Sequence, residues 1–160
     1  MMGALNSMAS IAARSFLAAA CLALPLTSAA NAQMLQLVTP QEAALPPGPA
    51  PAFDFRGPAR RPSIQVVSPA PSAGMVHSPL ELKLRFRAFG GAEIDPESVV
   101  VTYLKNPAID LTQRITPYIK ADGIDIDHVD LPAGDHQFWV ELKDNSGRVG
   151  TAEFTVQVAK

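Results

Sequence analysis

The chain has 160 residues, 48% hydrophobic and 18% charged, with 13 basic against 15 acidic side chains and a formal charge of −2. That length suits one ordinary domain with extensions, and the acidic balance argues against a general nucleic-acid binder, which needs surplus Lys and Arg to neutralise phosphates. A single cysteine excludes an internal disulfide, and 15 prolines against 10 glycines predict that part of the chain is extended.

In chain order, the first element is a predicted signal peptide over residues 1–32. Arg14 supplies a positive charge, residues 16–26 are almost continuously apolar, and Ala30-Asn31-Ala32 places small residues where a signal peptidase reads. The apolar run is shorter than the ~20 residues that span a bilayer, and Pro25 interrupts it. It also runs past Cys21, which a lipidated cysteine would end. Cleavage after Ala32 removes the only cysteine and shifts the formal charge to −3. An exported protein, periplasmic or extracellular, with no membrane span after cleavage, is the expectation.

Residues 33–62 are predicted to be a disordered, proline-rich linker. In "TPQEAALPPGPAPAFDFRGPARRP" proline recurs too often for a helix or central strand to persist. Phe53 and Phe55 are its two aromatic side chains, placed either to dock on the following domain or to sit in the tether.

From residue 63 to 160 the pattern becomes short alternating runs separated by turn signals, which predicts an antiparallel β-sandwich of about seven strands. Strands are expected at 64–67, near Val76, at 80–88, 99–104, 124–129, 136–143 and 151–158. "GGAEIDPES" reads as a loop. One helical turn is expected in "DLTQRI", with Asp110 capping and Gln113 in capping-box spacing. In "DNSGR" Gly147 suits a hairpin with a positive φ.

Within "ELKLRFRAF" Leu82, Leu84 and Phe86 alternate with Lys83, Arg85 and Arg87. Burying the first set is expected to contribute roughly 1.5–3 kcal/mol per side chain, so the basic stripe is read as the solvated face. Asp122, Asp125, Asp127, Asp130 and Asp135 form the densest acidic stretch, but their spacing does not match a calcium loop, and they are read as solvated strand and turn carboxylates. His136 shares the parity of Phe138 and Val140, which predicts a buried imidazole hydrogen-bonded to nearby backbone. Trp139 has the opposite parity, which puts the only tryptophan on an outer face between Gln137 and Glu141, beside Thr102 and Leu104 if the two strands pair. Thr102, Leu104, Trp139 and Glu141 are therefore the candidate binding residues, with a linker-covered indole as the alternative.

"VVSPAPSAGMVHSPLELKLRF" and "LPAGDHQFWVELKDNSGRVGTAEFTVQV" resemble the bacterial Ig-like domains of secreted and cell-envelope proteins, over roughly residues 63–159. The resemblance implies a non-catalytic spacer, adhesion or binding module, with an envelope protein or glycan as partner. A more distant similarity is to periplasmic copper-resistance Ig-like proteins, which share a Ser-x-Pro-Ala turn and a Leu-x-Leu-x-Phe strand and use an amino-terminal histidine. It implies metal handling as the alternative. Here the predicted first residue is Gln33, and Met75 and His77 on neighbouring loop residues fall short of a coordination set. No metal, no cofactor and no catalytic residue is expected, and no Gly-x-Ser-x-Gly elbow occurs.

Overall fold

Alternation in the longest apolar-basic run becomes β4 (Leu80–Arg87), in which Leu80, Leu82, Leu84 and Phe86 are buried and their neighbours face water. The computed structural model describes residues 34–52 and 60–160. Cys21, the predicted leader, Phe53 and Phe55 lie outside the described residues.

The other elements are β1 (Leu35–Gln36), α1 (Pro40–Ala43), β2 (Ser63–Ser68), β3 (Met75–Val76) and β5 (Ile94–Tyr103). They continue with β6 (Ile109–Asp110), α2 (Thr112–Ile115), a 3-10 turn (Thr116–Tyr118), β7 (Ile119–Lys120), β8 (Gly123–Asp130), β9 (Gly134–Asp144) and β10 (Val149–Val158). Two sheets result. The first runs β1-β8-β4-β2, with β7 also pairing along β8, and the second runs β3-β10-β9-β5-β6. The two-residue strands β1 and β3 are parallel to β8 and β10, so the sheets are mixed rather than purely antiparallel.

All seven expected strands are present. β5 starts inside the stretch read as a loop, at Ile94, because Pro96 falls where the ladder with β9 is interrupted between Asp95 and Val100. A residue without an N–H is tolerated at such an irregularity. Between the sheets Leu84, Phe86, Val101, Ile126, Phe138 and Leu142 belong to one continuous apolar core. The β9–β10 hairpin has Gly147 at φ 74°, and Asp144 accepts from the Ser146 and Arg148 N–H groups.

The segment read as a linker departs from that expectation. Leu37 and Val38 are buried in the core at 1% and 0% exposure, and Leu35 and Gln36 lie in register with Val129 and Asp130. Proline did not prevent this, because Pro40 sits at the start of a helix, where a missing N–H costs nothing. Thr39 and Glu42 close a capping box: the Glu42 N–H donates to Thr39 Oγ1, and the Thr39 N–H donates to Glu42 Oε2. Arg114 on α2 then donates to both Glu42 oxygens, at 2.9 and 2.6 Å, and to the Leu37 carbonyl at 2.7 Å. Farther on, the Gly48 N–H donates to the Leu104 carbonyl and the Asn106 N–H to the Pro46 carbonyl. Residues 34–48 thus form a strap that begins beside β8 of one sheet and ends beside the continuation of β5 in the other. The domain begins well before residue 63.

The predicted helical turn exists as α2, but its N-cap is Leu111, which makes no side-chain cap bond. Asp110 stands one residue earlier and accepts from the Thr112 N–H at 2.8 Å, so no capping box forms with Gln113.

Candidate binding face

Strand pairing brings the sequence-predicted residues together. Thr102 is in register with Trp139, Val100 with Glu141, and the Leu104 N–H donates to the Gln137 carbonyl. Since opposite residues in an antiparallel ladder point the same way, Thr102, Leu104, Trp139 and Glu141 all lie on the outer face of the second sheet. Exposure corrects the expectation: Trp139 is only 7% exposed and Leu104 only 2%. Thr102 and Glu141 are half-buried, while Val100 beside them is 41% exposed. Leu104 and Trp139 stand apart from the continuous inter-sheet core, so they form a separate apolar pair on the far side of the sheet. Beside Leu104 runs the strap, whose Gly48 N–H donates to the Leu104 carbonyl and whose Pro47 forms an antiparallel bridge with Lys105.

His136 is 1% exposed and fully satisfied. Its Nε2 lies 2.7 Å from the Pro132 carbonyl, which only accepts, so Nε2 carries the proton and Nδ1 accepts from the Tyr103 hydroxyl at 2.9 Å. Burial holds the imidazole below its ordinary pKa, opposed by the Pro132 carbonyl and Asp135 and reinforced by Lys105. Burial likewise pushes the Tyr103 phenol up to about 12, with the Glu42 charge adding to it. Both groups are neutral at physiological pH. Lys105 connects this pair to the strap, its amine 5.2 Å above the Tyr103 ring centroid and donating to the Ala43 carbonyl at 3.0 Å.

On the outer face of the first sheet, the basic stripe and the acidic stretch meet. Lys83 lies 3.4 Å from Asp125 and 3.9 Å from Asp127, and Arg85 lies 3.6 Å from Asp122. Asp130 instead accepts from the Ser78 hydroxyl. Asp125 and Asp127 thus share the Lys83 ammonium, while Asp122 faces Arg85 and Asp130 holds Ser78. Among the described residues no group of three or more His, Cys, Asp or Glu stands close enough to hold a metal ion. Met75 and His77 are both exposed at β3. Among the described residues no helix is long and apolar enough to cross a membrane.

Sequence reasoning missed Glu42 and Arg114. The signal available for the first was Thr-Pro-Gln-Glu at residues 39–42, a capping box with proline at its first helical position. Nothing in the sequence pairs Glu42 with a residue 72 positions away.

The fold and this face define the chain as an all-β sandwich with an apolar pair on the outer side of one sheet. No family model, curated protein or solved structure matches it.

Proposed function

We propose that this protein is an exported, non-catalytic Ig-like module of the bacterial cell envelope, which binds a protein or glycan through the outer face of its second sheet. The observation that carries this reading is the pair Leu104 and Trp139, two large apolar side chains on the far side of a sheet whose core is already complete without them. Recognition sites are enriched in tryptophan, and because both side chains are covered here, a partner reaches them by displacing what covers them. Glu141 and Thr102 flank the pair and supply polar specificity around it.

Support against catalysis comes from the way the candidate groups are engaged. His136 and Tyr103 satisfy one another beneath the surface, and Glu42 and Arg114 are occupied in holding the strap. The leader-like residues 1–32 support export.

The test is capture from an envelope fraction by the exported protein, wild type against Trp139→Ala, with folding of the variant checked by circular dichroism. A partner held by wild type and lost by the variant is the expected result. Equal capture by both proteins removes this face from the proposal. Amino-terminal sequencing of the exported chain, expected to start at Gln33, tests the leader independently.

A further inference from the structure

The end of the strap lies on the protein in the manner of a bound peptide. Gly48 donates to the Leu104 carbonyl at 3.1 Å, and Pro46 accepts from the Asn106 N–H at 2.9 Å. Pro47 faces Lys105 across the antiparallel bridge between these two bonds. The seat is built from main-chain groups, which is how a sheet edge accepts an added strand. Its demands are specific. The edge asks the incoming chain for one carbonyl, at Pro46, and one N–H, at Gly48. Prolines at 46 and 47 therefore sacrifice no donor, and they hold the chain extended before it docks. At the third position only glycine fits, since a Cβ on Gly48 would stand 2.3 Å from the Lys105 carbonyl oxygen. The edge thus requires glycine at the third position and accepts proline at the two before it, the sequence Pro-Pro-Gly that the strap presents.

We propose that the Leu104–Lys105–Asn106 edge, with the apolar outer face beside it, is a recognition site for extended Pro-Pro-Gly-containing peptide segments of a partner protein, occupied in this structure by the chain's own residues 45–48. This deepens the binding-face reading and rests on it, by naming the ligand class and an autoinhibitory contact at that face. The strap is anchored upstream by Leu37, Val38 and the Glu42–Arg114 pair. Its last residues therefore compete at an effective concentration in the ~millimolar range. A partner displaces them through several such segments or a higher local concentration. The apparent affinity of a single peptide for the wild type is reduced by the fraction of molecules in which the seat is open.

The experiment uses the exported chain and a synthetic peptide of residues 45–51, Leu-Pro-Pro-Gly-Pro-Ala-Pro. In Gly48→Ala the strap end leaves its seat, so the Asn106 amide is expected to exchange about 100-fold faster than in wild type. Trp139, diagonal to Leu104 across the ladder, changes its emission at the same time. The variant then binds the peptide saturably and at least ~10-fold more tightly than wild type does. A control peptide with alanine in place of glycine does not bind. In wild type, excess peptide accelerates exchange of the Gly48 amide, a readout that does not depend on any variant. Protection of Asn106 retained in both Gly48→Ala and Gly48→Val overturns the proposal, because the seat then has no need of glycine. An opened edge that ignores the peptide, together with Trp139-dependent capture of an envelope partner, overturns the ligand class and leaves the binding face standing. An opened edge that ignores the peptide, with no such capture, ends both.

Discussion

The two outer faces of this sandwich obey the same alternation and meet water in opposite ways. On the first sheet Lys83 and Arg85 are set across from Asp125, Asp127 and Asp122, and the charges pair in place at the surface. On the second sheet the equivalent positions hold Leu104 and Trp139, which are nearly as buried as the core. Parity along a strand decides which side of the sheet a residue occupies. Whether that side is wet depends on what the rest of the chain lays over it.

The contrast is sharpened first by removing the strap's anchor. Leu37→Ala takes a fully buried side chain from the core and is expected to destabilise the fold by about 2–5 kcal/mol, measured by urea denaturation. An effect no larger than that of an exposed-loop substitution would mean the strap is not part of the sandwich.

Next comes Glu42→Gln. The Arg114 guanidinium, with the Thr39 cap, holds the Glu42 carboxyl down from 4.5 to about 2, against the opposing effect of burial. The folded state therefore binds this proton more weakly than the unfolded chain. The stabilisation is complete above about 4.5 and is lost as the pH falls from there towards about 2. With Arg114 about one-third exposed and solvent screening allowed for, the pair contributes about 2 kcal/mol. The variant is expected to lose that amount at neutral pH and to show a flatter acid limb than wild type.

His136 should act in a milder range and with the same sign. Its folded pKa is depressed, so unfolded chains take up a proton that folded ones refuse, and stability declines as the pH falls below the ordinary 6.5. Ring nitrogen shifts in NMR are expected to remain those of the Nε2–H tautomer through that decline. An imidazolium signal from the folded protein near pH 6.5 would contradict the Tyr103 hydrogen bond. The smallest effect belongs to the first sheet's outer face. Exposed ion pairs contribute little, and Asp125→Asn should leave the melting temperature within about 2 °C of wild type.

Much of the sandwich was legible before any coordinates. β4, β8, β9 and β10 each show a period of two strong enough to give their facing, and His136 was placed in the interior from its parity with Phe138. The face of Trp139 and its neighbour Thr102 were legible for the same reason. Exposure of the indole was not, because cover comes from outside the strand. The strap was hidden by its proline count, which correctly argues against long helices and central strands but says nothing about a one-turn helix or a two-residue edge strand. Its two anchoring residues, Leu37 and Val38, are too few to show a period. The helix cap at Asp110 failed by one position, a distance that sequence cues for helix ends do not resolve.

The most direct measurement is native-state hydrogen exchange at two strap contacts, the Leu37 amide bonded to the Asp130 carbonyl and the Asn106 amide bonded to the Pro46 carbonyl. Leu37 is expected to exchange only as slowly as the interior amides of β8 and β9, through global opening, with Asn106 protected to a lesser degree. If both amides exchange at the rate of free peptide while β8 and β9 stay protected, the strap is not seated and the second sheet's outer face is bare.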